Sequence, residues 1–265
     1  IADLLDMQRY MGSSLLQMGY SPIETLLEVL DSTTVTTEIS TLLADAGFKR
    51  LDAAMADYRA SNARGENIIG NALKNYIQGS AGLDTIDAGA GNDRVFGYAG
   101  NDILYGKSGA DTLYGDQGDD TLDGGAGNDQ LYGGSGADTY LFGRGSGQDT
   151  IDNSDGDALG VNADIVLVKA NFADVTLKRI GASLSIAIDG TEDVLQLHLY
   201  FYLDGSTSRT VEQIRFEDGT VLDYATVKAI TLSGTPDHDT LNGYAAADVM
   251  SGGEGNDTLY GSDGD

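Results

Sequence analysis

The chain has 265 residues, a formal net charge of −27 and no cysteine. The negative charge excludes a nucleic-acid-binding surface and disfavours binding to anionic membranes. The lack of cysteine excludes disulfides and thiolate metal sites. No apolar run approaches the roughly 18 residues of a membrane-spanning helix, and a hydrophobic content of 41% with two prolines predicts a globular chain of two or three units.

Residues 1–62 are predicted to form a helical unit. Ser21, Pro22 and Glu24 combine an N-cap, a proline at the first helical position and a capping box. The unit either covers the first coil of the repeats that follow or is the tail of an upstream catalytic or binding domain. The chain begins without Met or a signal-peptide pattern and stops within a repeat, so we expect it to be a fragment of a longer protein.

Seven consecutive nonapeptides occupy residues 79–141 in one unbroken register. An aspartate recurs every nine residues, at Asp84, Asp93, Asp102, Asp111, Asp120, Asp129 and Asp138. A glycine stands two residues before each aspartate, at Gly82, Gly91, Gly100, Gly109, Gly118, Gly127 and Gly136. An apolar or aromatic side chain follows two residues after it, at Ile86, Val95, Leu104, Leu113, Leu122, Leu131 and Tyr140.

This spacing predicts a flattened helix made of short parallel strands. Glycine allows each loop to adopt positive φ, and the large residue after each aspartate is the one inward side chain of a very short strand. Two nonapeptides then complete one coil, so aspartates two repeats apart stack on the same edge. Carboxylate and carbonyl oxygens gathered there are the ligands that Ca²⁺ prefers.

The charge of the repeats indicates that a cation is part of the fold. Residues 79–141 hold 11 aspartates and two bases, Arg94 and Lys107, which gives a net charge of −9. Rows of like charges a few ångströms apart repel one another strongly at low dielectric. Composition alone would also permit a flexible Gly/Asp-rich linker, but seven repeats in strict register favour the stacked fold.

The repeats resemble the RTX (repeats-in-toxin) family, whose consensus is G-G-x-G-x-D-x-U-x with U a large apolar residue. The resemblance implies a mainly β fold built on a parallel β-roll (the RTX β-helix), with loop aspartates bridging successive turns and carbonyls around the loop glycines completing each Ca²⁺ shell. About five full sites are expected. The resemblance also implies a secreted or extracellular protein, at the cell surface or free of it, that leaves the cell through a type I secretion channel.

Three further units are predicted from the rest of the pattern. The roll occupies residues 63–151, beginning with a degenerate lead-in at 65–78. Residues 152–231 are a β-rich capping or linker unit, whose ending at residues 214–223 resembles the haemolysin-type calcium-binding related domain. Residues 232–265 are a second, truncated array with weaker calcium binding. Its candidate ligands are Asp239, Asp248, Asp257 and Gly255.

No catalytic motif accompanies the repeats. His198 and His238 are the only histidines, so no H-E-x-x-H zinc site exists, and no G-x-S-x-G elbow is present. We therefore predict a non-enzymatic, calcium-binding RTX segment of a larger secreted bacterial adhesin, toxin or exoenzyme, folding on Ca²⁺ outside the cell. The alternatives are the non-catalytic tail of a secreted hydrolase, or a partner- or surface-binding module that uses an outward stripe of Tyr105, Tyr114 and Tyr132. Such tyrosines also suit a cross-strand packing ladder.

Overall fold

The structure is a computed structural model that describes residues 65, 67–154, 162–202, 210–245 and 247–262. The predicted helical unit at residues 1–62 lies outside these residues. About half of the described chain is β-strand. None of its described helices is both long and apolar enough to cross a membrane.

A parallel β-roll forms the first part of the described chain. Its strands alternate between two sheets, so that odd-numbered strands pair in one sheet and even-numbered strands in the other. Partners lie two repeats apart, as in Leu104 with Leu122 and Leu113 with Leu131, which confirms the predicted roll. The strands are β1 (Asn67–Asn71), β2 (Tyr76–Gln78), β3 (Thr85–Gly89), β4 (Arg94–Ala99), β5 (Ile103–Ser108), β6 (Thr112–Gln117), β7 (Thr121–Ala126), β8 (Gln130–Ser135), β9 (Thr139–Gly143) and β10 (Gln148–Ile151).

Each sheet of the roll contributes one column of large side chains to the interior. The seven predicted inward residues, from Ile86 to Tyr140, are at most 1% exposed. The expectation of one inward position per strand was incomplete, because the longer strands hold a second buried position two residues further on. That position is Ala88 in β3 and glycine in later strands, such as Gly106 and Gly115.

Both sheets continue beyond residue 151, where the roll was predicted to end. One sheet adds β11 and β15 in parallel to β9, and the other adds β14 in parallel to β10. Antiparallel pairs then finish each sheet. The added elements are β11 (Ile165–Lys169), a 3₁₀ helix (Phe172–Asp174), β12 (Val175–Ile180), β13 (Ser183–Ile188), β14 (Val194–Leu197), β15 (Gln213–Phe216) and β16 (Val221–Asp223). The predicted unit boundaries stay predictions.

A short helix and a second parallel pair follow. Helix α1 (Tyr224–Thr231) begins after Asp223, whose side chain accepts a hydrogen bond from the Thr226 N–H, an N-cap that satisfies a backbone donor left open by the helix. Strands β17 (Thr240–Asn242) and β18 (Thr258–Tyr260) pair in parallel, again two repeats apart. The second array therefore repeats the geometry of the roll on a smaller scale.

In three repeats of the roll, the same loop position holds a residue other than glycine in the left-handed backbone conformation. Asp116 has φ 77°, and Lys107 and Tyr98 are similar, although this region disfavours residues with a Cβ. We expect Asp116→Gly to raise the thermal midpoint of the calcium-loaded protein, with a gain of about 0.5–1 kcal/mol in unfolding free energy. Asp116→Ser removes the same charge but keeps a Cβ, so an equal gain in that variant would attribute the effect to charge and contradict backbone strain.

Candidate calcium site

The loop aspartates bond to one another along each edge of the roll. The backbone N–H of each donates to Oδ1 of the aspartate two repeats later, at N–O distances of 2.7 to 2.9 Å. One edge carries Asp84, Asp102, Asp120 and Asp138, and the other carries Asp93, Asp111 and Asp129. The fold thus brings the predicted aspartates into two continuous rows.

Two further aspartates extend these rows and were missed by the sequence analysis. The N–H of Asp129 donates to Asp149 Oδ1 at 3.0 Å, and that of Asp138 donates to Asp164 Oδ1 at 2.8 Å. The separations are 20 and 26 residues, so the nine-residue register does not find them. The signal that remains is a buried aliphatic residue two positions after each aspartate.

Six loop aspartates of the main array (residues 79–141) have a second carboxylate oxygen that is buried and lacks a hydrogen-bond partner in the described part of the chain. These are Oδ2 of Asp93, Asp102, Asp111, Asp120, Asp129 and Asp138. A buried charged oxygen without a partner is strongly unfavourable. Burial accordingly raises the pKa of Asp102 to about 6, of Asp120 to about 7 and of Asp138 to about 8. Each of these carboxylates needs a proton or a cation.

At Asp102, Asp111 and Asp120 a backbone carbonyl faces the same space as the unpartnered oxygen. A Cβ added to Gly115 would lie within 3 Å of both Asp120 Oδ2 and the Gly133 carbonyl oxygen, and a Cβ on Gly97 would meet Asp102 Oδ2 and the Gly115 carbonyl oxygen in the same way. The space is therefore open only because the strand carries glycine there. No three His, Cys, Asp or Glu side chains converge among the described residues, so carbonyls would supply the other ligands. An all-oxygen site of this kind suits Ca²⁺.

The glycines predicted from the sequence to supply calcium-binding carbonyls have a different role in the structure. Those from Gly91 to Gly136 have φ between 123° and 150°, whereas Gly82 is not left-handed. A Cβ on Gly109 would collide with the Gly91 carbonyl oxygen, so these glycines let successive loops stack closely. The glycines beside Oδ2 instead open each repeat, and their regular recurrence was the available signal. They are Gly97, Gly106, Gly115, Gly124 and Gly133.

The second array carries a weaker version of the same arrangement. The N–H of Asp239 donates to Asp257 Oδ1 at 3.0 Å. Oδ2 of Asp239, however, accepts from the Thr235 N–H at 2.6 Å. Asp248 accepts from the Tyr244 N–H. Gly255 is left-handed, with φ 114°. Two of the three predicted aspartate ligands here are thus already engaged by their own loops.

The first loop of the main array is closed in the same way. Asp84 Oδ2 accepts from the Ser80 N–H at 2.6 Å, and Asp84 Oδ1 accepts from the Ser80 hydroxyl at 3.0 Å. The residue four positions before the aspartate decides the outcome. Where this residue is left-handed, as at Lys107 and Gly125, Oδ2 of the following aspartate has no partner. At Ser80 it is not left-handed, and its N–H points to the carboxylate.

The aromatic residues do not form the predicted stripe of three tyrosines. Tyr114 stacks on Tyr132 at a centroid distance of 4.7 Å and on Phe96 at 4.8 Å. Tyr105 lies on β5, in the opposite sheet, so its inclusion was wrong. Arg94 stands 5.1 Å from the Tyr114 ring centroid and covers the stack. These contacts are those of a cross-strand packing ladder.

The strand glycines offer a direct test of the cavities. Gly115→Ala should lower calcium affinity, because the new methyl group would occupy the space between Asp120 Oδ2 and the Gly133 carbonyl oxygen. The reciprocal change is Ala88→Gly, since Ala88 holds the equivalent position in the first turn and its partner Asp93 also has an unpartnered Oδ2. We expect opposite shifts of calcium affinity by isothermal titration calorimetry. Unchanged affinity in both variants would show that calcium does not use this space.

A parallel solenoid with stacked aspartate loops and oxygen-lined cavities defines the class of calcium-binding β-rolls. Comparison with protein families identifies the repeats directly. Residues 69–104, 105–140 and 233–265 match the RTX calcium-binding nonapeptide repeat, and residues 184–226 match the haemolysin-type calcium binding protein related domain. Residues 69–140 and 233–265 therefore carry RTX repeats, a family that binds Ca²⁺, and the predicted resemblance is confirmed.

A curated relative is similar over part of the chain. The iron-regulated protein FrpA of Neisseria meningitidis serogroup C is 42% identical over 113 residues. The matched stretch covers 42% of this chain and 10% of the relative. The chain thus spans about a tenth of the length of this relative.

Proposed function

We propose that this chain is a calcium-operated folding module of a larger secreted bacterial protein, such as an adhesin, toxin or exoenzyme. The observation that carries the proposal is the set of six buried carboxylate oxygens without partners in the main array. A roll without cations must bury these charges or protonate them, and either is costly. The module itself is structural rather than catalytic.

The ligands that we assign follow from the cavities. Each Ca²⁺ would be held by Oδ2 of one interior aspartate, from Asp93 to Asp138. At Asp102, Asp111 and Asp120 the carbonyl of a glycine that opens a repeat would be a second ligand, and neighbouring loop carbonyls would complete each shell. This gives six sites in the main array, one more than the spacing alone predicted, and the site at Asp93 is the weakest of them because Ala88 places a methyl group beside it. Asp84, Asp239 and Asp248 are weaker candidates, because each already accepts a hydrogen bond within its own loop.

Calcium would convert this charge pattern into a folding switch. Without the ion, one large apolar residue and one small residue buried per strand do not offset chain entropy and the repulsion within a net charge of −9. Bound calcium neutralises the rows, so that the free energy of binding becomes free energy of folding. Because each turn contacts only its neighbours, the roll would order coil by coil.

The cellular setting follows from calcium availability. Extracellular calcium modules commonly have dissociation constants of about 10⁻⁴–10⁻³ M, far above cytosolic calcium. The chain would then remain extended in the cytosol, pass through a type I secretion channel and fold outside or at the cell surface. The rings of Phe96, Tyr114 and Tyr132 stack on one another, and Arg94 lies over the Phe96 ring. Because these side chains already contact each other, they do not favour the alternative role in adhesion.

A calcium titration followed by circular dichroism tests the switch. We expect the β signal to appear cooperatively at a midpoint of about 10⁻⁴–10⁻³ M calcium. Asp120→Asn should move the midpoint to higher calcium. Asp119→Asn is the matched control, because Asp119 is exposed, carries the same charge and directly precedes Asp120. A roll already folded at micromolar calcium would refute the switch and leave calcium as a static cross-link.

A further inference from the structure

The loop that carries Gly243, Tyr244 and Asp248 differs from the loops of the roll in what precedes it. In the roll, each loop stacks on the loop two repeats earlier. Two repeats before Asp248 the chain reaches Ile230, which lies in α1. A helix, rather than an aspartate-bearing loop, therefore occupies the preceding position on this edge of the second array.

The helix supplies a positive charge to the loop aspartate. Lys228 Nζ lies 3.2 Å from Asp248 Oδ1, and the side chains of Lys228 and Asp248 are only 17% and 3% exposed. Oδ1 accepts no directed hydrogen bond, so this ion pair is what compensates its burial. Oδ2 of Asp248 accepts from the Tyr244 N–H. Lys228 thus takes the place of the backbone N–H that bonds to Oδ1 in the roll, and both carboxylate oxygens of Asp248 are engaged within the chain.

A second basic residue binds the carbonyl edge of the same loop. Arg179 Nη1, from β12, donates to the Asn242 carbonyl at 2.9 Å and to the Gly243 carbonyl at 2.8 Å. Gly243 opens its repeat, as Gly115 does in the roll, where the corresponding carbonyl faces an aspartate Oδ2 across the cavity. The Arg179 guanidinium therefore binds the carbonyl whose counterpart in the roll faces the space assigned to calcium.

Tyr244 ties the two basic groups together. Its ring centroid lies 4.1 Å from the Arg179 guanidinium carbon and 4.4 Å from Lys228 Nζ, which places the ring within cation–π distance of both. Its hydroxyl is 2.8 Å from Thr231 Oγ1 at the end of α1, and the residue is 3% exposed. Tyr244 thus joins its loop to β12 through Arg179 and to α1 through Lys228 and Thr231.

We infer that Lys228 and Arg179, rather than calcium, hold the loop that carries Gly243, Tyr244 and Asp248, and that Asp248 takes no metal. The loop would dock on α1 and β12 through side-chain cations, so this junction would form at any calcium concentration at which the β unit is folded. The inference rests on the proposed function only in the assumption that calcium occupies the loops of the main array.

Calcium counting separates the two kinds of loop. At saturating calcium we expect Asp120→Asn to lose at least one bound ion per chain by equilibrium dialysis with atomic emission, and Asp248→Asn to lose none. A loss in Asp248→Asn equal to that in Asp120→Asn would overturn the inference. If neither variant loses calcium, the proposed ligands of the main array are wrong, whereas the ion pair is judged by the next measurement.

A double-mutant cycle tests the pairing of Lys228 with Asp248 without counting metal. In calcium-saturated protein, Lys228→Met should lower the thermal midpoint, because it leaves a buried carboxylate without its cation. Adding Asp248→Asn should recover part of that loss. Strictly additive losses would overturn the pairing. Lys228→Arg keeps the charge and should lower the midpoint less than Lys228→Met; an equal loss would likewise count against it.

Discussion

Replacing Asp111 by alanine is expected to remove more bound calcium than replacing Asp257. Asp111 lies in the middle of its row, where its Oδ1 accepts from the Asp93 N–H at 2.7 Å and its own N–H donates to Asp129 Oδ1 at 2.8 Å. Its Oδ2 is buried without a partner. The change should therefore disturb the sites of two neighbouring coils and loosen both stacks.

Asp257 offers the matched comparison, since it is the same residue type at the same repeat position. Its same-edge neighbour in the described chain is Asp239, whose Oδ2 is already engaged by Thr235. We expect Asp257→Ala to cost at most one weakly bound ion. Calorimetry on both variants provides the measurement, and equal losses of calcium would contradict the model of stacked turns.

Chelation by excess EGTA is expected to abolish the β structure of residues 79–141. The rows hold six buried carboxylate oxygens without partners, and the apolar column of the roll is too thin to offset them. Amide hydrogen exchange resolved by peptide should show complete loss of protection over residues 103–140. Restoring calcium should recover the protection.

Magnesium provides the control for that experiment. Mg²⁺ carries the same charge but demands a small octahedral shell and gives up its water reluctantly, so an equal concentration should not restore protection. Full recovery with Mg²⁺ would mean that charge screening, rather than coordination in the loops, drives folding. Protection that persists in EGTA without any added cation would contradict a calcium-dependent roll.

The regular part of the fold was predictable from spacing alone. A strict period of nine with a large residue two positions after each aspartate yields alternating strands, pairing between every second repeat and a buried column, as Leu104 over Leu122 illustrates. The same period places the aspartates in rows. Such features depend on local repetition, and repetition is what a single sequence displays most clearly.

The features that were missed depend on irregular chain paths. Asp149 and Asp164 join the rows after insertions that break the period, so only the fold reveals them. The role of Gly115 in keeping space beside Asp120 Oδ2 depends on the distance between the two residues in the fold. Lys228 and Arg179 reach Asp248 and Gly243 from distant parts of the sequence, and no local pattern relates them.

Calcium is expected beside each unpartnered carboxylate oxygen of the main array. The most direct measurement is a crystal structure of the chain grown in millimolar calcium, with the ions located by anomalous scattering. We expect ions next to Oδ2 of Asp93, Asp102, Asp111, Asp120, Asp129 and Asp138 and none beside Asp248. A folded roll whose edge cavities hold no ions would contradict this expectation.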